Sequence, residues 1–246
     1  RAGVPLIEIV SEPDLRSSDE AVVYLKNLRQ ILRYLDVCDG NMEQGSLRCD
    51  ANVSIRPFGQ EKLGTRCELK NINSFRFVQQ AIEYEVARQA NIIEQGLEVV
   101  QETRLWDTQS KTTRSMRSKE EAHDYRYFPE PDLPDLNLPD GYIGELRSEL
   151  PELPAAKIAR YVNTLGLSTF DAGVLAEELE VARFYETAIA AHDHPKSVAN
   201  WTINEVLREL KDQSIADLAF GGKELAELVA LINDQTISGK IAKEVF

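Results

Sequence analysis

A run of ten residues in the first half of the chain alternates between apolar or small side chains and polar ones. The first set is Leu47, Cys49, Ala51, Val53 and Ile55, and the second is Arg48, Asp50, Asn52, Ser54 and Arg56. Because successive side chains of a β-strand point to opposite faces of its sheet, the run predicts a strand with one core face and one polar face.

A second alternating run, over residues 65–71, predicts a neighbouring strand with the same two faces. Gly59 and Gly64 favour a turn between the runs, so we expect a hairpin that brings Glu68 and Lys70 onto the polar face. Two interpretations of this face stay open. It is either a solvated surface with ion pairs worth under about 1 kcal/mol each, or one wall of a site for a phosphate and its metal ion.

Helical and strand periodicity also fills the rest of residues 1–128. Helices are predicted over residues 17–35 and 73–96, after serine caps, and a further hairpin is predicted from residues 99–106 and 111–117. The fold class is therefore α+β, with an antiparallel sheet backed by two helices.

Prolines at 129, 131, 134 and 139 predict an extended connector over residues 129–150, because proline is excluded from helix interiors and central strands. Residues 151–246 show only helical periodicity and form a predicted all-α domain. Its helices are predicted over residues 154–165, 171–192 and 195–211, after Gly222 and after Ser238.

Charge and composition narrow the class of protein. The net charge is −13 over 246 residues, and the acidic excess lies in the second half, which argues against bulk nucleic-acid binding by that part. Three separated cysteines and the absence of an apolar membrane-spanning run or signal segment suit a soluble protein of the reducing cytoplasm. The chain opens in a strand-like run over residues 4–10 and stops within a helical pattern, so we expect a fragment of a longer chain.

Glycine-rich phosphate loops and nucleophile elbows are missing from the sequence, so a nucleotide would have to be held by a sheet surface. Five ordered segments instead carry a specific family likeness. They cover residues 3–14, 45–54, 68–75, 101–104 and 124–132. Together they closely resemble the GatB family, the B subunits of aspartyl/glutamyl-tRNA amidotransferases. Residues 200–205 and 238–243 resemble the helical part of the same family.

The resemblance implies a catalytic cradle related to the sheet of glutamine synthetase and guanido kinases, followed by a helical domain and a tail that is truncated here. It also implies a reaction. With ATP and Mg²⁺, the side-chain carboxylate of Glu or Asp mischarged on tRNA(Gln) or tRNA(Asn) becomes an acyl phosphate, which ammonia from the glutaminase A subunit displaces. The implied partners are the A and C subunits, in a heterotrimer, and the mischarged tRNA.

Acyl phosphate formation requires carboxylates that hold a metal ion and cations that neutralise the transferring phosphoryl group. By resemblance, Glu8, Asp50 and Glu68 are the catalytic candidates, with Glu8 the first candidate for a Mg²⁺ ligand and Asp50 and Glu68 weaker candidates for the same role. The candidates for binding ATP are Arg48, Arg56, Lys70 and Asn71. Residues 126–128 either border the site or anchor the connector.

Two other functions stay open. The protein could be a non-catalytic scaffold whose polar strand faces bind tRNA phosphates, although Asp50 and Glu68 oppose this because carboxylates repel a phosphate backbone unless a metal intervenes. It could also be a free-standing amide ligase of the glutamine synthetase type, which would act on a small acid without tRNA.

Overall fold

The structure is a computed structural model that describes residues 5–116, 136–210 and 213–246. The chain divides into two compact units, the first formed by Arg1–Arg29 and Cys38–Leu138 and the second by Gln30–Val37 and Pro139–Phe246. The division falls within the first helix, α1 (Ser18–Tyr34). Strands occur in the first unit, and the described part of the second unit is helical, in keeping with an α+β class.

The first unit contains a four-stranded sheet in the order β1-β2-β3-β4. The strands are β1 (Cys49–Val53), β2 (Cys67–Ile72), β3 (Thr103–Asp107) and β4 (Thr112–Ser115). The predicted hairpins are confirmed, because β1 pairs antiparallel with β2 and β3 with β4. The prediction of an all-antiparallel sheet is wrong, since β2 and β3 are parallel. Helix α2 (Phe75–Glu94) connects β2 to β3 in the sequence. Its length of about 30 Å is enough to carry the chain back to the end of the sheet at which β2 begins, as a parallel pair requires.

The predicted alternation of faces is confirmed in β1 and β2. Val53 and Leu69 are buried, whereas Asp50 is exposed. One bulge interrupts the ladder: Cys49 pairs with Ile72 but Ala51 pairs with Leu69, so β2 holds one extra residue. That residue is accommodated at Asn71, whose φ of 67° lies in the left-handed region.

Both predicted helices of the first unit are confirmed, and serine side chains cap them. Ser17 Oγ accepts a hydrogen bond from the backbone amide of Glu20 at 3.1 Å, and Ser74 Oγ accepts one from the amide of Phe77 at 3.2 Å. The two helices and one face of the sheet share a core of Leu25, Met42, Val53, Leu69, Ile72, Val78, Ala81 and Trp106. The opposite face of the sheet is therefore left without a covering helix from these core elements.

The predicted strand over residues 4–10 is wrong for its described part. Residues 5–10 have no regular secondary structure and are exposed. A strand needs a partner for its backbone hydrogen bonds, and among the described residues these six pair with none.

The second unit is built from short helices. They are α3 (Tyr142–Glu149), α4 (Pro154–Asn163), α5 (Thr169–Leu175), α6 (Leu179–Ala191), α7 (Pro195–Trp201), α8 (Leu207–Leu210), α9 (Gly222–Asn233) and α10 (Gly239–Val245), with a π-helical turn at Thr202–Val206 and a 3₁₀ turn at Ile215–Asp217. Prolines begin α4 and α7, where the missing N–H costs nothing. Among the described ranges, no helix is both long and apolar enough to cross a lipid bilayer.

Two expectations for this unit are wrong. The connector over residues 129–150 is not extended throughout, because α3 forms once the prolines end, after Gly141 with a φ of 89°. The single helix predicted over residues 171–192 is two helices, α5 and α6. At the break, the carbonyl of Ala176 accepts hydrogen bonds from the Tyr34 hydroxyl at 2.6 Å and from Gln30 Nε2 at 2.8 Å. The start of the connector, residues 129–135, and the possible site border at residues 126–128 lie outside the described ranges.

A half-buried ion network ties α4 to α6. Lys157 Nζ lies 2.7 Å from Glu186 Oε1, and Arg160 contacts both Glu152 and Glu186. The Tyr161 hydroxyl donates to the same Glu186 oxygen at 2.9 Å. Burial alone would raise the pKa of Glu186, but hydrogen bonds from Lys157, Arg160 and Tyr161 outweigh it and hold that pKa below its ordinary value.

The two family-like segments of the second unit meet at the π-helical turn. Glu205 Oε1 lies 2.5 Å from Lys243 Nζ of α10, and the ring of Phe246 packs edge-on against Trp201. These contacts give the segments 200–205 and 238–243 a packing role. The predicted helix over residues 195–211 is confirmed up to Leu210, with the π-helical turn inside it.

Candidate functional site

The candidate site lies on the face of the sheet that points away from the core. We call it the polar sheet face and define it by five residues, namely Asp50, Asn52, Glu68, Lys70 and Thr103. Strand register brings them together, because Asn52 pairs with Glu68 and Glu68 pairs with Thr103 across three neighbouring strands. Three of the predicted site residues, Asp50, Glu68 and Lys70, are thus in one cluster.

Lys70 is the centre of this cluster. Its Nζ lies 3.1 Å from Asp50 Oδ2 and 3.4 Å from Glu68 Oε1. The hydrogen bond to Asp50, together with the negative charges of Asp50 and Glu68, raises the pKa of Lys70 above its ordinary value in spite of some desolvation. The ammonium group is therefore charged at every physiological pH.

Thr103 is a site residue that sequence reasoning did not single out. Its Oγ1 donates a hydrogen bond of 2.8 Å to Glu68 Oε2, so both oxygens of that carboxylate have a partner. In the sequence, Thr103 could have been singled out by its position in segment 101–104, one of the five segments that carry the family likeness. The residues on either side of it in the chain, Glu102 and Arg104, join the buried network on the opposite face of the sheet, which is described below.

The remaining predicted ATP contacts are spread out. Asn71 Nδ2 donates to the carbonyl of Trp106 at 3.0 Å, which commits that amide nitrogen to β3. Arg48 lies just before β1 beside Gly45, and Arg56 lies three residues after β1, with its Nη1 donating to the carbonyl of Glu61. In the described part of the chain, neither arginine shares an ion pair with Asp50 or Glu68.

Glu8, the predicted Mg²⁺ ligand, lies in the exposed segment without regular structure. Within residues 5–116, 136–210 and 213–246, no group of three or more His, Cys, Asp or Glu side chains could hold a metal ion, so Glu8 is not brought together with Asp50 and Glu68. Carboxylate oxygens fit Mg²⁺ in kind, and that ion often takes only one or two of them besides water and phosphate. One oxygen of each of these carboxylates, Asp50 Oδ2 and Glu68 Oε1, is, however, already engaged by Lys70.

The core side of the same sheet carries a buried ion network that sequence reasoning missed. Glu85 of α2 is fully buried and accepts from Arg88 at 2.7 and 2.9 Å, while Arg104 Nε of β3 lies 3.6 Å away. Glu102 contacts Arg104 and lies 3.7 Å from Arg88. Burial would raise the pKa of Glu85, but hydrogen bonds from Arg88 and Gln89 and the charge of Arg88 hold that pKa below its ordinary value.

This network contacts all four strands, and it reaches β2 through Arg88 Nη2, which donates to Cys67 Sγ at 3.3 Å. Gln89 is fully buried and donates to the carbonyl of Val53 at 3.0 Å, while its Oε1 accepts from the amide of Ile55 at 3.2 Å. Arg104 donates to the hydroxyl and the carbonyl of Thr113 at 2.7 and 2.8 Å, which joins β3 to β4. The strand positions that create the polar sheet face are therefore held from the other side of the sheet.

The chain has an α+β unit, whose polar sheet face is centred on Lys70, and a helical unit. These features define a class of protein whose candidate ligand site is a sheet surface. Two family models match parts of the chain. Residues 1–144 match the family model described as the GatB/GatE catalytic domain, and residues 183–246 match the one described as the GatB domain. The chain belongs to the GatB/GatE family, and the resemblance found from its five segments is confirmed.

Curated relatives support the same assignment. The chain is 60% identical to a protein of Syntrophotalea carbinolica, 59% to one of Solidesulfovibrio magneticus and 56% to one of Geobacter sp. (strain M21). Each is named as the B subunit of an aspartyl/glutamyl-tRNA(Asn/Gln) amidotransferase, and each match covers 100% of this chain and 52% of the relative. The chain thus spans about half the length of the curated relatives it matches.

Proposed function

We propose that this chain is part of the B subunit of a tRNA-dependent amidotransferase, which converts mischarged Glu-tRNA(Gln) or Asp-tRNA(Asn) to Gln-tRNA(Gln) or Asn-tRNA(Asn) with ATP. The names of the relatives support this activity. The structural observation that carries it is the ammonium of Lys70 on an open polar sheet face, inside the region that matches a catalytic-domain model.

Transfer of a phosphoryl group from ATP to a carboxylate requires neutralisation of negative charge. When a carboxylate oxygen attacks the terminal phosphate of ATP, negative charge spreads over the phosphoryl oxygens, and nearby cations stabilise it. Lys70 is the cation at the polar sheet face, and Arg48, Arg56 and Asn71 stay proposed contacts to ATP. Bound Mg²⁺, for which Glu8 stays the proposed ligand, would neutralise phosphate oxygens.

The wider setting follows from the same proposal. The unit would belong to a catalytic cradle of the glutamine synthetase and guanido kinase type, in which the polar sheet face is one wall. We expect the complete protein to work in the cytoplasm with the glutaminase A subunit, the C subunit and the mischarged tRNA. Ammonia from the glutaminase would displace phosphate from the activated carboxylate.

Replacement of Glu8 in the full-length protein, assembled with the A and C subunits, tests the proposal. We expect Glu8→Gln to keep glutaminase activity and lose ATP-dependent formation of Gln-tRNA(Gln), because the carboxylate is lost but the shape is kept. Glu12→Gln is the matched control, since Glu12 is also an exposed carboxylate of the same segment. Unchanged amidation in Glu8→Gln removes Glu8 from the site.

The two other functions predict different results in the same assay. A tRNA-positioning scaffold would hydrolyse no ATP when Glu-tRNA(Gln) and the other subunits are present. A free-standing amide ligase would form an amide on a small acid without any tRNA. Asp50 and Glu68 argue against the scaffold, because two carboxylates beside Lys70 repel a phosphate backbone unless a metal ion intervenes.

A further inference from the structure

The contacts on the polar sheet face indicate different roles for Lys70 and for the carboxylates of Asp50 and Glu68, which the sequence distinguishes less clearly. The ammonium group of Lys70 has three N–H donors. Asp50 Oδ2 and Glu68 Oε1 are within reach of two of them. The side chain of Lys70 is 40% exposed, so the third donor is accessible from solvent.

Glu68 is less available than the lysine. Glu68 is held at one oxygen by Lys70 and at the other by the Thr103 hydroxyl. A divalent cation that bound Asp50 Oδ2 and Glu68 Oε1 together would have to displace Lys70 or lie directly beside its positive charge. A carboxylate that orients a lysine towards phosphate is an arrangement known from protein kinases, where the lysine contacts ATP.

We propose that Asp50 and Glu68 are positioning residues for Lys70, that Thr103 fixes Glu68 for this purpose, and that Lys70 itself contacts the phosphoryl group at this face. This assignment rests on the proposed function. It changes the role of both carboxylates, because neither then binds the metal ion. The Mg²⁺ ligands must lie elsewhere, with Glu8 among them.

The test uses the full-length protein in its complex and two measurements. The first is the rate of ADP formation with mischarged tRNA. The second is Mn²⁺ binding, followed by electron paramagnetic resonance in the presence of a non-hydrolysable ATP analogue. The variants are Lys70→Ala, Lys70→Arg, Asp50→Asn, Glu68→Gln, Thr103→Val and Thr103→Ser.

We expect Lys70→Ala to lower kcat by about 100-fold, the usual effect of removing one donor to a transition-state oxyanion. Asp50→Asn, Glu68→Gln and Thr103→Val should each lower kcat by a smaller factor, with Mn²⁺ affinity unchanged within about twofold. Lys70→Arg should recover part of the rate, because it keeps the charge but not the ammonium geometry. Thr103→Ser should keep the rate, because it keeps the hydroxyl.

Two results would overturn the assignment while the proposed function stands. One is a Mn²⁺ affinity that falls tenfold or more in Asp50→Asn or Glu68→Gln, which would make the carboxylates metal ligands. The other is an unchanged kcat in Lys70→Ala. Lys62→Ala, an exposed lysine of the β1–β2 loop, is the control for a general loss of positive charge. A wild-type complex that forms no ADP refutes the proposed function, and the assignment with it.

Discussion

Replacement of Glu85 by glutamine should loosen the sheet from its core side. The side chain of Glu85 is fully buried, and it accepts two hydrogen bonds from Arg88 and one of 2.8 Å from Gln89. The glutamine keeps the size of the side chain but leaves the guanidiniums of Arg88 and Arg104 with Glu102 as their remaining carboxylate. Because both arginine side chains are also largely buried, at 18% and 12% exposure, they cannot recover full hydration.

The size of the effect follows from the cost of leaving a buried charge without its partner, about 3–5 kcal/mol. Glu102 still compensates in part, so we expect about 3 kcal/mol. That free energy corresponds to an increase of roughly 100-fold in the opening equilibrium of the sheet.

Hydrogen–deuterium exchange of the full-length protein measures this opening in peptides that cover β1 and β2. We expect those amides to exchange faster in Glu85→Gln, including the amide of Ile55, which donates to Gln89. Glu94→Gln, at the exposed end of the same helix, should leave exchange unchanged. Equal protection in Glu85→Gln and wild type would refute the view that this network holds the strands.

Two further predictions concern the second unit. Tyr34→Phe removes the hydroxyl that donates to the carbonyl of Ala176, so we expect a loss of about 1 kcal/mol, seen as faster exchange at the break between α5 and α6; unchanged exchange there contradicts it. The folded pKa of Glu186 lies below its ordinary value of 4.5, so its stabilising effect is present above that pH and is lost as the pH falls through the folded pKa. The protection factors of amides in α4 and α6, which correct for the pH dependence of intrinsic exchange, should therefore fall in acid below about pH 4.5, and Glu186→Gln should flatten this dependence; a parallel acid response in both proteins would contradict the assignment.

Local patterns were sufficient to predict much of the first unit. Alternation identified the two faces of β1 and β2, and serine caps located the starts of α1 and α2. These features are decided by residues a few positions apart, which is why a sequence shows them. The cluster of Asp50, Glu68 and Lys70 was predictable for the same reason, since a hairpin brings neighbouring strands together.

Long-range contacts explain what could not be predicted. The parallel pairing of β2 and β3 depends on the path of α2, and the break at Ala176 is stabilised by side chains about 140 residues earlier in the chain. Glu85 and Gln89 occupy the buried side of α2, where periodicity expects apolar residues, because arginines from other positions neutralise and hydrogen bond them. Glu8 was assigned as a Mg²⁺ ligand by resemblance alone, because neither its spacing in the sequence nor the residues around it predict where its carboxylate lies.

The bulge in β2 links the two sides of the sheet by setting the phase of the helix that follows. Only two residues separate the end of β2 from the start of α2, so there is little slack to absorb a change in length. Deletion of Asn71 from the chain would rotate every residue of α2 about the helix axis by about 100° relative to the strands. Glu85 and Gln89 would then leave the core side, although Lys70 would keep its place in the sequence. The bulge at Asn71 thus acts as a spacer that keeps Glu85 on the core side of the sheet while Lys70 lies on the exposed side.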